Sequence, residues 1–199
     1  MKGFLLLVAF FMGCVLIVVL FSCGAGFSAR REASQFERQA ARATWRFLVP
    51  GPVKIKENPV PDSADAIRDG TQMWVERCVV CHANDGGGTS MGRSLHPPTP
   101  DLRKVLTQSL TDGELFYVIE QGIPWTGMPA WGDGTPDSEK DSWTLVRFIR
   151  SIPKFTPADL RMIEKFTPRA TQRVDRDRRP APLPGGKGDT PLLEKLASK

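Results

Sequence analysis

Cys78-Val79-Val80-Cys81-His82 is the segment from which the rest of this chain is best interpreted. Cysteines three residues apart on a helical turn point to the same side, and the histidine directly follows the second one. With the composition of this chain, the pattern Cys-x-x-Cys-His would arise by chance about once in a thousand sequences. The segment therefore predicts a site where two thiols and one imidazole act together.

Three kinds of site use such a pair of thiols, and two of them fit poorly. A structural zinc site needs four ligands, commonly two such pairs, and His96 is the sole further histidine. A thioredoxin-like redox pair needs a βαβ setting, which this sequence does not predict. In the third, both thiols reach the vinyl groups of one porphyrin and the histidine binds its iron. We therefore expect one haem c, attached at Cys78 and Cys81, with His82 as an axial ligand.

The second axial ligand must come from elsewhere in the chain, and four side chains are candidates. Met73 falls on an apolar helix face, where core packing is the usual role of methionine. Met91 is expected in a loop or at a rim, and His96 in a loop, with a hydrogen bond near the haem edge as an alternative role. Met128 remains, and its thioether is a soft ligand that raises the reduction potential of haem.

The surroundings of Met128 favour it as the axial ligand. It lies in the segment 122–132, which holds two prolines and three glycines and is therefore expected to form a structured loop. Trp125 and Trp131 flank the methionine and would wall a haem edge. We predict Met128 as the sixth ligand and both tryptophans as pocket residues.

The start of the chain is apolar and is expected to span a membrane. Residues 3–23 carry no charge, and about 20 apolar residues cross a bilayer core of roughly 30 Å. A cleaved signal peptide has a shorter apolar region and a small-x-small site, which is not evident here. An uncleaved anchor over 1–27 is therefore favoured. The alternative is a lipoprotein, because Leu20-Phe21-Ser22-Cys23 resembles a processing site at which Cys23 would be lipidated.

Two segments of different composition follow the apolar start. Residues 28–48 place Ala and Phe at helical spacing among Arg, Glu and Gln, which predicts an amphipathic helix. Residues 49–62 contain four prolines and are expected to form a semi-rigid spacer. We interpret 28–62 as a helix and linker that tether the following domain while letting it reach a partner.

The central domain, 63–166, is expected to be all-α, since no β-alternation of useful length appears. The predicted elements are a helix from Ser63 to about Arg77, loops over 83–104, a helix capped by Thr111 and Glu114 that stops at Gly122, a helix over 136–152, and a short helix opened by Thr156-Pro157.

Charge is spread unevenly along the chain. The net charge is +5, but the basic excess lies in the flanks and the central domain is slightly acidic. Nucleic-acid binding normally needs the basic patch on the folded domain, so we do not expect it. Residues 167–199, rich in Arg, Pro and Gly, are expected to form a basic, mostly disordered tail.

Residues 64–152 resemble the class I cytochromes c, close to mono-haem modules attached to bacterial oxidases and dehydrogenases. The resembling parts occur in the expected order: Gly70 and Trp74 of a first helix that crosses the last, the motif 78–82, a proline-rich segment 95–102, the segments 119–123 and 128–131 around the distal methionine, and Trp143, Leu145 and Phe148 of the last helix.

The resemblance implies further roles around the haem. A carbonyl of the proline-rich segment 95–102 would orient the axial histidine, with Pro97 and Pro98 at the haem pocket. Ala83 departs from the glycine that many relatives carry after the histidine, and we expect little effect from it.

A function follows from this resemblance. It implies a membrane-anchored carrier of single electrons, not an enzyme, whose partner is a membrane redox complex: a quinol-oxidising complex, a terminal oxidase or a photosynthetic reaction centre. Arg30 and Arg31 after the span leave the positive-inside rule ambiguous. Because haem is attached outside the cytoplasm in such cytochromes, the domain is placed on the periplasmic side of the inner membrane. The alternative is a haem enzyme or ligand-binding sensor with a labile distal site.

Overall fold

The computed structural model describes residues 2–24 and 34–168, which form helices joined by loops and contain no β-strand. This confirms the predicted all-α class. The chain divides into two units, one formed by α1 and the other by the elements from α2 onward. The helices are α1 (Lys2–Gly24), α2 (Gln35–Leu48), α3 (Gly51–Lys54), α4 (Ala64–Met73), α5 (Val79–His82), α6 (Ser90–Ser94), α7 (Val105–Gln108), α8 (Asp112–Gln121), α9 (Pro136–Ser151) and α10 (Pro157–Phe166). A π-helical turn, Trp74–Cys78, joins α4 to α5, and a 3-10 turn, Ile152–Lys154, follows α9.

Helix α1 has the length and composition of a membrane span. Its window Gly3–Leu20 has a mean hydropathy of 3.0, and its apolar side chains are exposed. At 1.5 Å per residue, 23 residues extend about 34 Å, enough to cross a bilayer core. The helix is consistent with a single-pass anchor. The side chain of Cys23 and residues 25–33 lie outside the described part, so lipid attachment at Cys23 stays a prediction.

Helix α2 starts seven residues later than the predicted amphipathic helix, whose residues 28–33 lie outside the described part. Ser34 caps it, because its hydroxyl accepts from the Glu37 amide while the Glu37 carboxylate accepts from the Ser34 amide. This reciprocal pair satisfies two amides that the helix itself leaves unpaired.

The proline-rich residues 49–62 pack on the helical domain, unlike the expected spacer. The Asn58 amide donates to the Trp143 carbonyl over 2.9 Å, and Arg147 Nε donates to the Val60 carbonyl over 2.6 Å. Val49 is buried in the core. Because proline has no N–H group, this segment cannot pair all of its carbonyls within a helix. Hydrogen-bonding groups of α9 pair with the segment instead. The segment is therefore part of the domain surface.

The centre of the domain is the crossing of α4 and α9. Gly70 permits it, since a β-carbon there would lie 2.8 Å from Cβ of Phe148 and 3.1 Å from the Thr144 carbonyl. One turn later, the Trp74 ring lies 5.0 Å from that of Phe148, and both side chains are fully buried. The resemblance implied this packing, and the structure confirms it.

The ends of α8 and the start of α10 lie where capping residues in the sequence predicted them. Thr111 and Glu114 form the predicted capping box of α8, which ends before Gly122. Thr156 caps α10, whose Ile163 is buried and whose Leu160 packs on the core. The predicted tail lies outside the described residues from 169 onward.

Candidate haem site

The two cysteines sit where the π-helical turn passes into α5. Cys78 closes the turn, Cys81 lies one helical turn later, and both are free thiols. Burial raises the pKa of Cys78 to about 12 and raises the pKa of Cys81 as well. Burial therefore favours the protonated thiol over the thiolate at both positions.

His82 is half-buried, with its Nδ1 atom enclosed by the protein. Its ring lies 5.7 Å from that of Trp74, and burial lowers its pKa to about 4. The imidazole is therefore neutral at pH 7 and keeps a lone pair for a metal. Its Nδ1 is buried without a hydrogen-bond partner. A neutral imidazole next to two thiols fits a haem c, since the iron would bind one ring nitrogen and the porphyrin would take both thiols.

A network of hydrogen bonds around one carbonyl holds the motif. The Cys81 carbonyl accepts from the Thr89 amide at 2.9 Å and from the Thr99 hydroxyl at 3.5 Å. Gly92 of α6 lies against the same carbonyl, so closely that a β-carbon at position 92 would overlap it. The Thr99 amide in turn donates to the Gly92 carbonyl over 3.0 Å. The proline-rich segment is thus tied to the motif through Thr99.

The hydrogen bond expected from this segment to His82 is not formed at the buried Nδ1, which has no partner. The segment makes its inward contact through Thr99 and the Cys81 carbonyl instead. His96, Pro97 and Pro98 are exposed. The pocket role of the two prolines stays a prediction.

A charged group beside the motif was not predicted from the sequence. It consists of Arg103, Asp85 and Asp101 and is called the Arg103 clamp below. Arg103 pairs with Asp85 at 2.6 Å and with Asp101 at 2.7 Å, which joins the loop after His82 to the end of the proline-rich segment. Burial favours a raised pKa of Asp101, but hydrogen bonds from Arg103 outweigh it and the pKa is lowered. The signal in the sequence was the spacing Asp101-x-Arg103, because the Asp101 carboxylate also accepts from the Arg103 amide.

The Met128 segment folds back on the end of α8. Gly122 has φ of +66°, and a β-carbon there would lie 2.5 Å from the Ala130 nitrogen. The Ile123 amide donates to the Met128 carbonyl over 3.1 Å, and the Met128 amide donates to the Thr126 hydroxyl over 3.1 Å. Only glycine fits at position 122, since the turn requires both a positive φ and close backbone approach. Met128 is half-buried in this turn.

The C-terminal end of the same segment is hydrogen bonded to α8. The Trp131 amide donates to the Ile119 carbonyl and the Gly132 amide to the Glu120 carbonyl, each over 3.0 Å. Trp131 packs on the core with the Arg77 guanidinium 6.0 Å from its ring centre.

The methionine segment contacts the residue before the motif at one point and the proline-rich segment at another. Arg77, which faces Trp131, directly precedes Cys78. On the other side, a β-carbon on Gly127 would lie 2.6 Å from the Leu95 side chain. The structure therefore brings the predicted distal and proximal segments together.

The other predicted residues occupy different positions. Trp125 has φ of +58° and a side chain that is 99% exposed, so its pocket role stays a prediction. Met73 packs against the core, as expected, and Met91 is exposed on α6. Among the four candidates, Met128 is the one in a segment that contacts both α8 and the proline-rich segment.

The comparisons with known proteins agree with this geometry. Searches of the curated proteins and of the solved structures gave no match to the chain. Residues 65–149 match a family model described as cytochrome c oxidase, cbb3-type, subunit III. The matched segment is under half of the chain but contains Cys78, Cys81, His82 and Met128. The match supports a cytochrome c family for this segment.

Proposed function

We propose that this chain is a membrane-anchored, mono-haem c-type cytochrome that transfers single electrons between membrane redox complexes. The observation that carries the proposal is the neutral imidazole of His82 directly beside the two free thiols of Cys78 and Cys81. The haem, when bound, supplies an iron that cycles between Fe(II) and Fe(III).

Different residues of the site would hold the haem in different ways. Cys78 and Cys81 would attach it through thioethers, which fixes it to the rigid junction of the π-helical turn and α5. His82 and Met128 would fill the two axial positions, and the thioether of Met128 favours the reduced state. With both residues as ligands, the iron would have no position for a substrate, which favours a carrier over an enzyme.

We place the domain on the periplasmic side of the cytoplasmic (inner) membrane. Helix α1 would serve as the anchor, with lipidation of Cys23 as the alternative form of attachment. The matched family model names an oxidase subunit, which favours a terminal oxidase over a quinol-oxidising complex or a photosynthetic reaction centre as the partner.

Stopped-flow spectroscopy of membranes that contain the full chain tests this function. After reduction, mixing with oxygen should oxidise the c-type haem within milliseconds to seconds, and cyanide should block the oxidation if a terminal oxidase is the acceptor. Ferrous protein should bind carbon monoxide poorly, because Met128 holds the sixth position. Rapid carbon monoxide binding, or haem that stays reduced in aerated membranes, would favour a ligand-binding or enzymatic role instead.

A further inference from the structure

One face of α2 is fixed to the helical domain. Trp45 packs against the core, and Val49, just after the helix, is buried. Arg46 Nε lies 3.1 Å from the buried carboxylate of Glu114 at the start of α8. The Arg46 guanidinium donates two hydrogen bonds to this carboxylate, which together with the packing of Trp45 and Val49 holds α2 on the domain.

The opposite face of α2 carries an apolar stripe that the domain does not cover. Phe36 and Phe47 are 79% and 83% exposed. Eleven residues apart, they lie within about 20° of each other around the helix, with Ala40 and Ala43 between them. Trp45 lies about 160° from Phe47. The phenylalanine stripe, Phe36, Ala40, Ala43 and Phe47, is therefore separate from the face that packs on the domain.

The sequence before α2 limits where this stripe can go. Helix α1 ends at Gly24 and α2 begins at Gln35, so eleven residue steps reach at most about 40 Å when fully extended. The proline-rich residues 49–62 add no reach, since they pack on the domain. Arg30 and Arg31 in the connection and Arg38 and Arg42 in α2 make this region basic. An anionic bilayer surface matches both the short tether and the charge.

We propose that the phenylalanine stripe lies in the headgroup region of an anionic bilayer, with α2 parallel to the membrane plane. Amphipathic helices that bury aromatic side chains about 5–10 Å into this boundary, with arginine on their polar flanks, bind membranes in this way. Because the Arg46–Glu114 pair joins α2 to α8, binding of α2 to the bilayer would hold the haem domain in one orientation toward the membrane. The inference rests on the proposed role of α1 as the anchor.

Photo-crosslinking of the full-length haem-loaded protein in nanodiscs tests this contact. The discs contain phosphatidylglycerol and phosphatidylcholine, and p-benzoylphenylalanine replaces one phenylalanine at a time at positions 36, 47 or 166. Phe166 is the matched control, since it is 66% exposed but lies on α10. We expect lipid adducts at positions 36 and 47 to exceed those at 166 at least fivefold by mass spectrometry, with an unchanged haem spectrum.

The outcomes separate this inference from the proposed anchor. Equal lipid yields at the three positions, or adducts to a second copy of the chain, would overturn the inference while the protein stays in the disc. Protein that leaves the disc on carbonate extraction would instead contradict the anchor. In native membranes, a dominant adduct to another integral protein would show that the stripe binds a protein and would also overturn the inference.

Discussion

The two sides of the proposed haem site are held in different ways. The proximal side, residues 74–103, is joined at its centre by hydrogen bonds to the Cys81 carbonyl and by the Arg103 clamp, with Trp74 in the core behind it. The distal side, residues 122–132, is tied to α8 at its ends and exposes Trp125 between them. Substitutions on the proximal side should therefore lower the free energy of unfolding. Substitutions on the distal side should mainly displace the proposed methionine ligand.

The largest expected effect is on the proximal side, at Gly92. Gly92→Ala would place a methyl group against the Cys81 carbonyl, and the backbone must shift to avoid the overlap. The change should lower the free energy of unfolding by about 3 kcal/mol. Guanidinium unfolding followed by circular dichroism measures this. Gly51→Ala is the control, since its β-carbon would meet nothing, and a loss at position 92 no larger than at 51 would contradict the account.

A distal change should act on the ligand more than on the fold. Gly122→Ala combines a positive φ with overlap of the Ala130 backbone and should cost about 2 kcal/mol while displacing Met128. We expect loss of the methionine-to-iron charge-transfer band with helical circular dichroism preserved.

Gly134→Ala is the control for this change, because Gly134 has φ of +82° but open space around it. It should cost about 1 kcal/mol and leave the band intact. Loss of the band in both variants would show that backbone strain, rather than contact with the Met128 segment, explains the effect.

The Arg103 clamp predicts an acid-dependent contribution from the proximal side. Arg103→Gln removes charged hydrogen bonds to Asp85 and Asp101 and should cost about 2 kcal/mol at pH 7. The folded pKa of Asp101 lies below its ordinary value, so this contribution is complete above about pH 5 and is lost as the pH falls through the lowered pKa.

Unfolding at pH 7 and pH 3 measures both parts of this prediction. Arg68→Gln is the control, since the Arg68–Asp65 pair is exposed and should change stability by under about 0.5 kcal/mol. A difference between wild type and Arg103→Gln that stays constant down to pH 3 would contradict the assigned role.

The smallest effect concerns Ala83, which was expected to matter little. The structure gives it φ of +62° and ψ of 168°, a region that favours glycine, and buries its methyl group. Ala83→Gly should relieve strain and raise the free energy of unfolding by about 1 kcal/mol, whereas Ala66→Gly within α4 should lower it by a similar amount. Destabilisation by both changes would show that Ala83 is not strained.

The sequence predicted those features that depend on neighbouring residues. The start of a helix at Ser63, the capping box of Thr111 and Glu114, and the stop at Gly122 each involve groups within a few residues, and the structure confirms all three. The motif 78–82 is also recognised from neighbouring residues, and its role in haem attachment stays a prediction.

Long-range contacts could not be predicted in this way. Asn58 bonds to a carbonyl 85 residues away, and this pairing turns an expected spacer into part of the domain surface. Arg103 meets Asp85 across a loop, and Ala83 reveals its strain only through the backbone angles of the fold. Such features depend on which segments tertiary packing brings together, and composition does not encode this.

The spectrum of the ferric full-length protein tests the central claim most directly. Wild type and Met91→Leu should show the methionine-to-iron charge-transfer band, and Met128→Leu should lack it and bind carbon monoxide readily when reduced. Met91 is the matched control because it is exposed on α6, outside the segment that contacts α8. A band that survives Met128→Leu, or is lost in Met91→Leu, would contradict the assignment of Met128 as the sixth ligand.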